Sequence, residues 1–420
     1  MSMRCATVKG RGERWTRREF IKTAPVLLAC AANLPLFLAR SAVAASRQPQ
    51  TDASILVVLQ LSGGNDGLNT IVPFNDDAYH RNRPTLRLTS RQVLKLSDDL
   101  GFHPEMAGFQ KLYKEGLLTI LQGIGYPQSS RDHATAMRNW HSARPGELAP
   151  QLGWAGQAME SMSALTHQDV PGVFVGNIKA PFAIRTNRLV VPSIQQLEDW
   201  QIPSLFSKID ELERTGRQTD NSLLKFVRQT VAESTTASRR LEELTVRHGN
   251  RNSRSYPVFK LAQHLELVAN LIRANLGLRL FFVELGGGGI GGFDTHAGQA
   301  LNHGALLREL SASVTAFIED LRQDKLADRV LLMTFSEFGR TLKESGRRGT
   351  DHGLAAPMFL AGGTLKGGLV GAHPNLANLD GDSPKHHTDF RRILATVLER
   401  WLRLPSQPVL GEAFATMDIL

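Results

Sequence analysis

Ser-Ile-Leu-Val-Val-Leu-Gln-Leu, residues 54–61, runs directly into Ser-Gly-Gly-Asn-Asp-Gly, residues 62–67. The first segment is a continuous apolar run of strand length, which is typical of a strand covered on both faces. The second is a glycine-rich turn, whose backbone can approach a bound group closely. Together they predict a buried strand that ends at a site, with Asp66 just past the end of that strand.

Similar apolar runs recur along the chain and alternate with segments of helical period. Strands are predicted at 117–121, 171–175, 280–285, 330–335 and 357–362, and helices at 106–114, 256–278, 303–324 and 389–402. This alternation predicts an α/β fold, a three-layer sandwich with a mostly parallel central sheet. Residues 200–255 are charged and glycine-poor, and they predict a helical insertion that caps the sheet.

The N-terminus predicts export. Thr-Arg-Arg-Glu-Phe-Ile-Lys (16–22) is a twin-arginine signature, and an apolar stretch and the cleavage pattern Ala-Val-Ala (42–44) follow it. The apolar stretch is too short to span a membrane comfortably, so no stable span is expected. The predicted organisation is a signal peptide at 1–44, a polar leader at 45–53 and a single domain at 54–420. The twin-arginine export machinery is then a partner, and the protein is periplasmic or secreted.

Composition narrows the classes of function. The chain carries 49 Lys and Arg against 40 Asp and Glu. Residues 1–44 hold eight of the basic and two of the acidic residues, so the rest is nearly balanced at 41 against 38 and gives little support for nucleic-acid binding. Both cysteines, Cys5 and Cys30, also lie in that segment, so the mature chain offers no thiolate ligand. Any metal must be held by His, Asp, Glu, Asn, Ser or Thr.

A metal site is predicted where polar residues follow the strands. On an extended backbone, residues two apart point to the same side, so Asp294 and His296 can face one ion. A helix-capping Asp beside a surface His is the alternative. Residues 286–292, which include six glycines, favour the site, because a dense glycine run needs a reason such as close approach to a ligand.

Two further motifs carry candidate ligands. Glu337 follows an apolar strand and can ligate a metal, while Arg340 can hold an anionic group through a pair of hydrogen bonds. A surface Glu–Arg pair is the alternative there. Asp351 and His352 follow a basic loop, with a turn stabilised by Asp as the alternative. Because sites in parallel sheets form beyond the carboxyl ends of the strands, we expect these side chains to converge with Asp66.

Ser-Ser-Arg-Asp-His, residues 129–133, is the candidate for catalysis. Ser130 is a candidate nucleophile, Arg131 an anion-pairing group, and Asp132 and His133 are also able to bind a metal. A polar loop that leads into a helix is the alternative. The adjacent histidines at 386–387 look ligand-like, but neighbouring side chains diverge in most backbone states, which favours a helix flank.

Four motifs, in this order, match a known family. They are Leu-Ser-Gly-Gly-Asn-Asp-Gly-Leu-Asn-Thr (61–70), Gly-Gly-Phe-Asp-Thr-His (291–296), Ser-Glu-Phe-Gly-Arg (336–340) and Gly-Thr-Asp-His-Gly (349–353). From about residue 54 to 403 the chain resembles the exported bacterial family called domain of unknown function 1501. That family looks like a branch of the alkaline phosphatase/sulfatase superfamily. The resemblance implies an alkaline phosphatase-like central sheet, a metal site that often holds two zinc ions, and hydrolysis of phosphate or sulfate esters.

The resemblance also implies roles by position. Asp66 is similar to a metal ligand after the first strand, and Asp294 and His296 are similar to an Asp–His ligand pair with shorter spacing. His352 is similar to a late His ligand. Glu337 stands where the superfamily commonly has Asp-His, so one imidazole is lost there.

The expected site combines these residues. The candidate metal ligands are Asp66, Asp294, His296, Glu337, Asp351 and His352, and the catalytic candidates are Ser130, Arg131, Asp132, His133 and Arg340. One or two divalent ions are expected, zinc first, with calcium or magnesium as alternatives. The first hypothesis is a metal-dependent hydrolase with an anionic ester substrate. The second is a binding or assembly protein of the cell envelope, with a protein partner, that keeps the fold without turnover.

Overall fold

The computed structural model describes residues 53–166, 171–176, 179–189, 191–194, 256–286 and 292–420. The predicted signal peptide at 1–44, the leader up to residue 52 and the predicted capping helices at 200–255 lie outside the described residues. So do residues 287–291 of the glycine run.

Most strands belong to one central sheet. In chain order the strands are β1 (Ile55–Leu61), β2 (Ile71–Val72), β3 (Leu94–Lys95), β4 (Gly101–Phe102), β5 (Leu118–Gly125), β6 (Gly172–Val175), β7 (Ser193–Ile194), β8 (Leu280–Leu285), β9 (Val330–Phe335), β10 (Arg340–Glu344), β11 (Thr350–His352), β12 (Ala356–Gly362), β13 (Gly368–Val370), β14 (Leu379–Asp380), β15 (Ser383–Pro384) and β16 (Thr388–Asp389). The central sheet has nine strands in the order β13-β5-β12-β9-β1-β8-β6-β7, with β16 also paired to β5. The remaining strands form three small sheets of two or three strands each.

Helices cover both faces of this sheet. They are α1 (Gly67–Thr70), α2 (Asp77–Asn82), α3 (Ala107–Lys114), α4 (His133–Ser142), α5 (Trp154–Thr166), α6 (Lys260–Ala274), α7 (Gln299–Gln323), α8 (Phe390–Thr396) and α9 (Ser406–Leu410), with a π-helical turn at Val397–Trp401 after α8. No helix in the described part of the chain combines the length and the apolar character that a membrane span requires.

Strand β1 shows why the sheet needs two helical layers. Every residue of β1 is buried, and it pairs in parallel with β8 on one side and with β9 on the other. Val57 and Leu59 point into a core with α3, α6 and α7. Leu56 and Val58 point to the opposite face, into a core with α4, α5 and α8. Alternate side chains of one strand therefore fill two separate cores, which is the reason for its unbroken apolar run.

The predicted fold class is confirmed. The structure is an α/β sandwich of helices, sheet and helices, and six of the eight pairings in the central sheet are parallel. Strand β12 was predicted without a direction, and it runs antiparallel to both β5 and β9. The connection from β9 to β12 contains the hairpin β10–β11 and no helix, so the chain turns back on itself without a helical crossover.

Candidate metal centre

The candidate centre lies beyond the carboxyl ends of β1, β8 and β9. The turn after β1 is pressed against the segment after β8: a Cβ on Gly63, whose φ is +115°, would lie 2.4 Å from the backbone N of Asp294. Only glycine tolerates both that φ and that approach. The same residue donates its N–H to Glu337 Oε1 at 2.8 Å, which ties the segment after β9 to the other two.

His133 is brought to this edge by the start of α4. The side chain of Asp132 caps the helix by accepting the N–H of Thr135 at 2.9 Å. The imidazole of His133 then lies between two carboxylates, with Nδ1 at 3.0 Å from Glu337 Oε1 and Nε2 at 3.3 Å from Asp294 Oδ2. His133 Nε2 is buried and makes no hydrogen bond within the described residues.

His296 and His352 bring two further imidazoles to Asp294. Their Nε2 atoms are 2.8 Å apart, and they lie 3.0 Å and 3.2 Å from Asp294 Oδ1. His296 Nδ1 lies 3.0 Å from Asp351 Oδ1, and His352 Nδ1 lies 2.7 Å from the backbone carbonyl of Arg131. We call His133, Asp294, His296 and His352 together the metal centre.

The hydrogen bonds of the imidazoles fix what their inner nitrogens can do. Each Nδ1 faces an oxygen acceptor, and each Nε2 faces an oxygen of Asp294. A neutral ring that donates its Nδ1 proton to the outer oxygen directs an Nε2 lone pair at the centre. Two such lone pairs 2.8 Å apart repel each other unless a proton or a cation lies between them. Imidazole nitrogens with a carboxylate, each imidazole supported by an outer oxygen, are the donor set of a divalent metal site. The residues therefore fit a metal.

The electrostatics favour an ionised Asp294. Burial acts to raise the pKa of Asp294, but the hydrogen bond and charge of Arg340, together with His133 and His296, outweigh it and lower the pKa to about 2. The hydrogen bond that His133 donates to Glu337 raises the pKa of His133. Burial lowers the pKa of His352. The carboxylate at the centre is thus negative at any physiological pH.

Glu337 and Asp351 contact the outer nitrogens of the imidazoles. Glu337 is 3% exposed and accepts from both His133 Nδ1 and the N–H of Gly63 through Oε1. The Trp140 indole also donates to its backbone carbonyl at 2.9 Å. Asp351 is 67% exposed and accepts from His296. Both carboxylates therefore orient imidazoles. Glu337 and Asp351 were predicted as direct metal ligands, but in the structure an imidazole lies between each of them and the centre, His133 for Glu337 and His296 for Asp351.

Asp66 is not brought to the metal centre. Its carboxylate is fully buried and paired with Arg83, whose Nη1 and Nη2 donate to Oδ2 and Oδ1 at 2.6 Å and 2.9 Å. Gln299 Nε2 and the N–H of Leu68 also donate to it. Burial acts to raise the pKa of Asp66, but the charge of Arg83 outweighs it and lowers the pKa. The expected convergence is absent here because protein donors already occupy both oxygens.

The guanidinium of Arg340 is also engaged by groups within the protein. It is 1% exposed, and its guanidinium donates to Asp294 Oδ1 at 2.8 Å and to backbone carbonyls of Gly63, Gly64, Phe293 and Thr350. It holds Asp294 in place rather than facing a substrate. Arg340 was predicted to bind an anionic group of the substrate. In the structure its guanidinium is buried and donates to oxygens of the protein, so it presents no surface to a ligand.

The segment before α4 is only partly at the centre. Arg131 contributes its carbonyl to His352, while its guanidinium donates to Asp382 Oδ1 at 2.7 Å and to the Asp380 carbonyl. Ser130 Oγ accepts the N–H of Asp132 at 3.1 Å, and none of the described contacts joins it to the imidazoles. The sequence could not single out the carbonyl of Arg131, because every residue has one. His133, predicted among the catalytic residues, is one of the three inner imidazoles.

Comparison with known proteins gives one family and several distant structures. The sequence model of the family described as "Protein of unknown function (DUF1501)" matches residues 53–401. No curated protein matches the sequence.

Several solved structures are similar to this chain, all at low sequence identity. The lipoteichoic acid synthase LtaP from Listeria monocytogenes is 8% identical with a TM-score of 0.36, over 87% of this chain and 74% of that one. The PsFucS1 sulfatase from Pseudoalteromonas sp. is 10% identical with a TM-score of 0.39, over 91% and 74%. A protein of the alkaline phosphatase superfamily from Vibrio parahaemolyticus is 8% identical with a TM-score of 0.37, over 86% and 71%. TM-scores below 0.5 carry no inference about activity.

Proposed function

This chain belongs to the DUF1501 family, and on the geometry of its metal centre we propose that it is an exported, metal-dependent hydrolase of phosphate or sulfate esters. One observation carries the proposal: three imidazole Nε2 atoms lie 3.0–3.3 Å from the oxygens of one ionised carboxylate, Asp294, and an oxygen contacts the Nδ1 of each imidazole from behind. Within that set, His133, Asp294 and His352 have ligand atoms close enough to one another to share an ion. The outer oxygens restrict each ring to one tautomer and one orientation, which raises the affinity of such a set for a metal.

The donors favour a single zinc ion. Calcium and magnesium take mainly oxygen ligands, whereas imidazole suits zinc and its transition-metal neighbours. His133, Asp294, His296 and His352 would hold the ion. A second ion has no comparable donors among the described residues, because Arg83 and Gln299 engage Asp66 and the other nearby carboxylates engage imidazoles.

The chemistry follows from the ionic and hydrogen-bonding groups. When bound, a divalent cation supplies Lewis-acid stabilisation to an oxygen that gains negative charge. Arg340 keeps Asp294 ionised and fixed in place. We assign the nucleophile to water rather than to Ser130, because among the described residues Ser130 Oγ is hydrogen-bonded to Asp132 N–H in the turn before α4 and to no group of the metal centre. Water adds its oxygen to phosphorus or sulfur, the bond to the ester oxygen breaks, and the alcohol leaves with a proton.

Export belongs to the same proposal. The twin-arginine signature at 16–22 and the cleavage pattern at 42–44 support a periplasmic or secreted product, with residues 54–420 as one domain and 200–255 as its insertion. Replacing Arg17 and Arg18 together by lysine tests the route. The precursor should then stay in the cytoplasm, as seen by fractionation and immunoblotting. An unchanged distribution of the processed protein would contradict twin-arginine export.

Metal analysis and an ester panel test the hydrolase. Protein purified without chelator should hold about one zinc per chain by elemental analysis. It should hydrolyse at least one aryl phosphate or aryl sulfate, and chelation should stop the reaction. A matched pair of variants, His352→Ala in the metal centre and His80→Ala on α2, separates metal loss from general damage. Metal-free, inactive protein with an unchanged circular dichroism spectrum would reject the proposal.

A binding or assembly protein of the envelope is the second candidate. The two arginines that were predicted to bind the substrate anion favour this candidate, because neither guanidinium is free to do so. Arg131 pairs with Asp382, and Arg340 is buried. Protein that holds zinc, hydrolyses no ester in the panel and retains a specific envelope partner in affinity purification would support this candidate over the hydrolase.

A further inference from the structure

The end of β10 and the turn that follows it, residues 343–348 and here called the cationic turn, lie directly against the metal centre. The carbonyls of Arg347 and Arg348 accept the N–H groups of Gly298 and Gln299 at 3.0 Å and 2.9 Å. Ser345 Oγ donates to the carbonyl of His296 at 3.3 Å. Strand β11, which follows the turn, supplies Asp351 and His352. The turn is therefore anchored next to one imidazole and continuous with another.

Close packing fixes the turn to this position. A Cβ on Gly349 would lie 2.1 Å from the carbonyl carbon of His296, so the backbones touch without a side chain between them. The N–H of Thr350 donates to the carbonyl of Thr295 at 3.2 Å. These contacts fix the backbone of residues 347 and 348 beside the centre.

The turn carries an excess of positive charge, with three basic residues and one acid. Lys343, Arg347 and Arg348 are exposed, and no ion pair is found for them within the described residues. Its one acid, Glu344, accepts the N–H groups of Thr85 and Leu86 and the Thr85 hydroxyl, so its oxygens serve the backbone of another segment. Three cations thus face solvent beside a centre whose own arginines are engaged within the protein.

The backbone conformation of Arg348 is one that glycine could also adopt. Its φ is +59°, in the left-handed region that glycine adopts without cost and that other residues adopt rarely. Lys325 and four other non-glycine residues of the described chain share a positive φ, so the backbone conformation alone does not mark a site. Glycine would satisfy the turn, and what arginine adds at position 348 is a charged side chain.

We propose that the cationic turn, residues 343–348, binds anionic groups of the substrate that lie beyond the reacting ester. The substrate is then polyanionic, with several phosphate or sulfate groups on one molecule. Arg347 and Arg348 are the specificity-determining residues, because a guanidinium pairs with the tetrahedral oxyanions of both classes through two hydrogen bonds. This inference rests on the proposed function for the reacting ester, while binding of the polyanion itself does not require turnover.

Direct binding tests the turn separately from catalysis. The probes are inorganic polyphosphate and dextran sulfate, titrated into the full chain at low and at physiological salt, with and without chelator. In the double variant Arg347→Gln/Arg348→Gln, the dissociation constant of the preferred probe should rise roughly fivefold at low salt. In Arg348→Gly the dissociation constant should rise about twofold, because one of the two charges is removed. The midpoint of thermal unfolding should be unchanged or higher.

A matched control is available at the opposite edge of the sheet. Lys325 is exposed, also has a positive φ (+60°), and precedes the amino end of β9. Lys325→Gly removes the same charge from the same kind of backbone position, and probe binding should be unchanged.

Each outcome decides the question. Equal binding by the double variant and the wild type, or equal weakening by Lys325→Gly, overturns the proposal. Binding that falls in the turn variants of a chain without zinc or turnover supports the cationic turn and rejects the hydrolase. Phosphate and sulfate sources are separated by which probe binds more tightly. In an active enzyme, the turn variants should raise KM for a polyanionic ester and leave kcat and zinc content unchanged. An unchanged KM overturns the proposal.

Discussion

Asp66 and Asp294 lie at the same edge of the sheet and both contact a buried guanidinium, yet they differ in what surrounds the rest of the carboxylate. Asp66 has no exposed surface and receives protein donors on both oxygens. Asp294 is 43% exposed, receives Arg340 on one oxygen and faces three imidazoles. A carboxylate that the protein fully neutralises serves the fold, whereas one that is left partly open among lone pairs can serve an ion.

The largest expected effect breaks the buried pair. Asp66→Asn keeps the cap on α1 but leaves the guanidinium of Arg83 without a counter-charge in the interior. We expect the free energy of unfolding to fall by about 3–5 kcal/mol. Urea denaturation measures this change. The double variant Asp66→Asn/Arg83→Met should cost less than the two single variants together, and strict additivity would contradict a coupled pair.

The same pair sets an acid limit. The folded pKa of Asp66 lies below its ordinary value of 3.8, so its contribution to stability is present above that value and is lost as pH falls through the folded pKa. The stability difference between wild type and Asp66→Asn should therefore be constant from pH 7 to about 5 and should narrow below about 3.8. Denaturation curves at a series of pH values measure it. A difference that widens on acidification would contradict the assignment.

A metal-centre variant should show the opposite pattern. His352→Ala removes one inner nitrogen, so zinc affinity should fall by more than about a hundredfold, a larger loss than outer-residue changes produce. The stability of the metal-free protein should fall by less than in Asp66→Asn, because removing the His352 imidazole, which is 23% exposed, leaves no buried charge unpaired. Competition with a chromogenic chelator measures affinity, and urea denaturation with chelator measures stability. If stability falls as far as in Asp66→Asn, the two regions do not differ as described.

The framework of the fold could be predicted because a strand that is buried on both faces appears in the sequence as a continuous apolar run. Apolar runs such as 54–61, 280–285 and 330–335 end within a residue of the observed strands. Family membership, confirmed over residues 53–401, was reached from four short motifs. The direction of β12 was not predictable, because it depends on a hairpin connection rather than on the residues of the strand.

The sequence predicted which residues form the site better than it predicted the contacts that those residues make. Asp294, His296 and His352 converge as expected, but the partner of Asp66 is Arg83, a loop residue that no pattern marks as buried. Likewise, the side chain of Arg131 suggested an anion site, and its carbonyl is what contacts His352. Tertiary pairing decides which charged side chains are satisfied internally, and sequence spacing carries no such information.

Outer carboxylates should give intermediate effects. Glu337→Gln replaces a buried charge behind His133 and keeps an oxygen acceptor, so zinc affinity should fall by about tenfold to a hundredfold. Isothermal titration against a competing chelator measures it. Recovery of wild-type affinity in Glu337→Asp is not expected, because the shorter side chain cannot reach both Gly63 N–H and His133 Nδ1. Unaltered affinity in Glu337→Gln would show that the imidazole needs no charged support.

Asp351→Asn should give the smallest loss of zinc affinity. Comparing it with Glu337→Gln isolates the effect of burial. Asp351 and Glu337 make the same contact, a carboxylate oxygen 3.0 Å from an imidazole Nδ1, but Asp351 is 67% exposed. Water competes for an exposed hydrogen bond and screens its charge, so the loss in zinc affinity should be about fivefold or less. Asp77→Asn, an exposed carboxylate paired with Arg81 on α2, is the control and should leave zinc affinity unchanged. If Asp351→Asn matches Glu337→Gln, charge alone supports the imidazoles, and the burial that separates Asp66 from Asp294 loses its explanatory role.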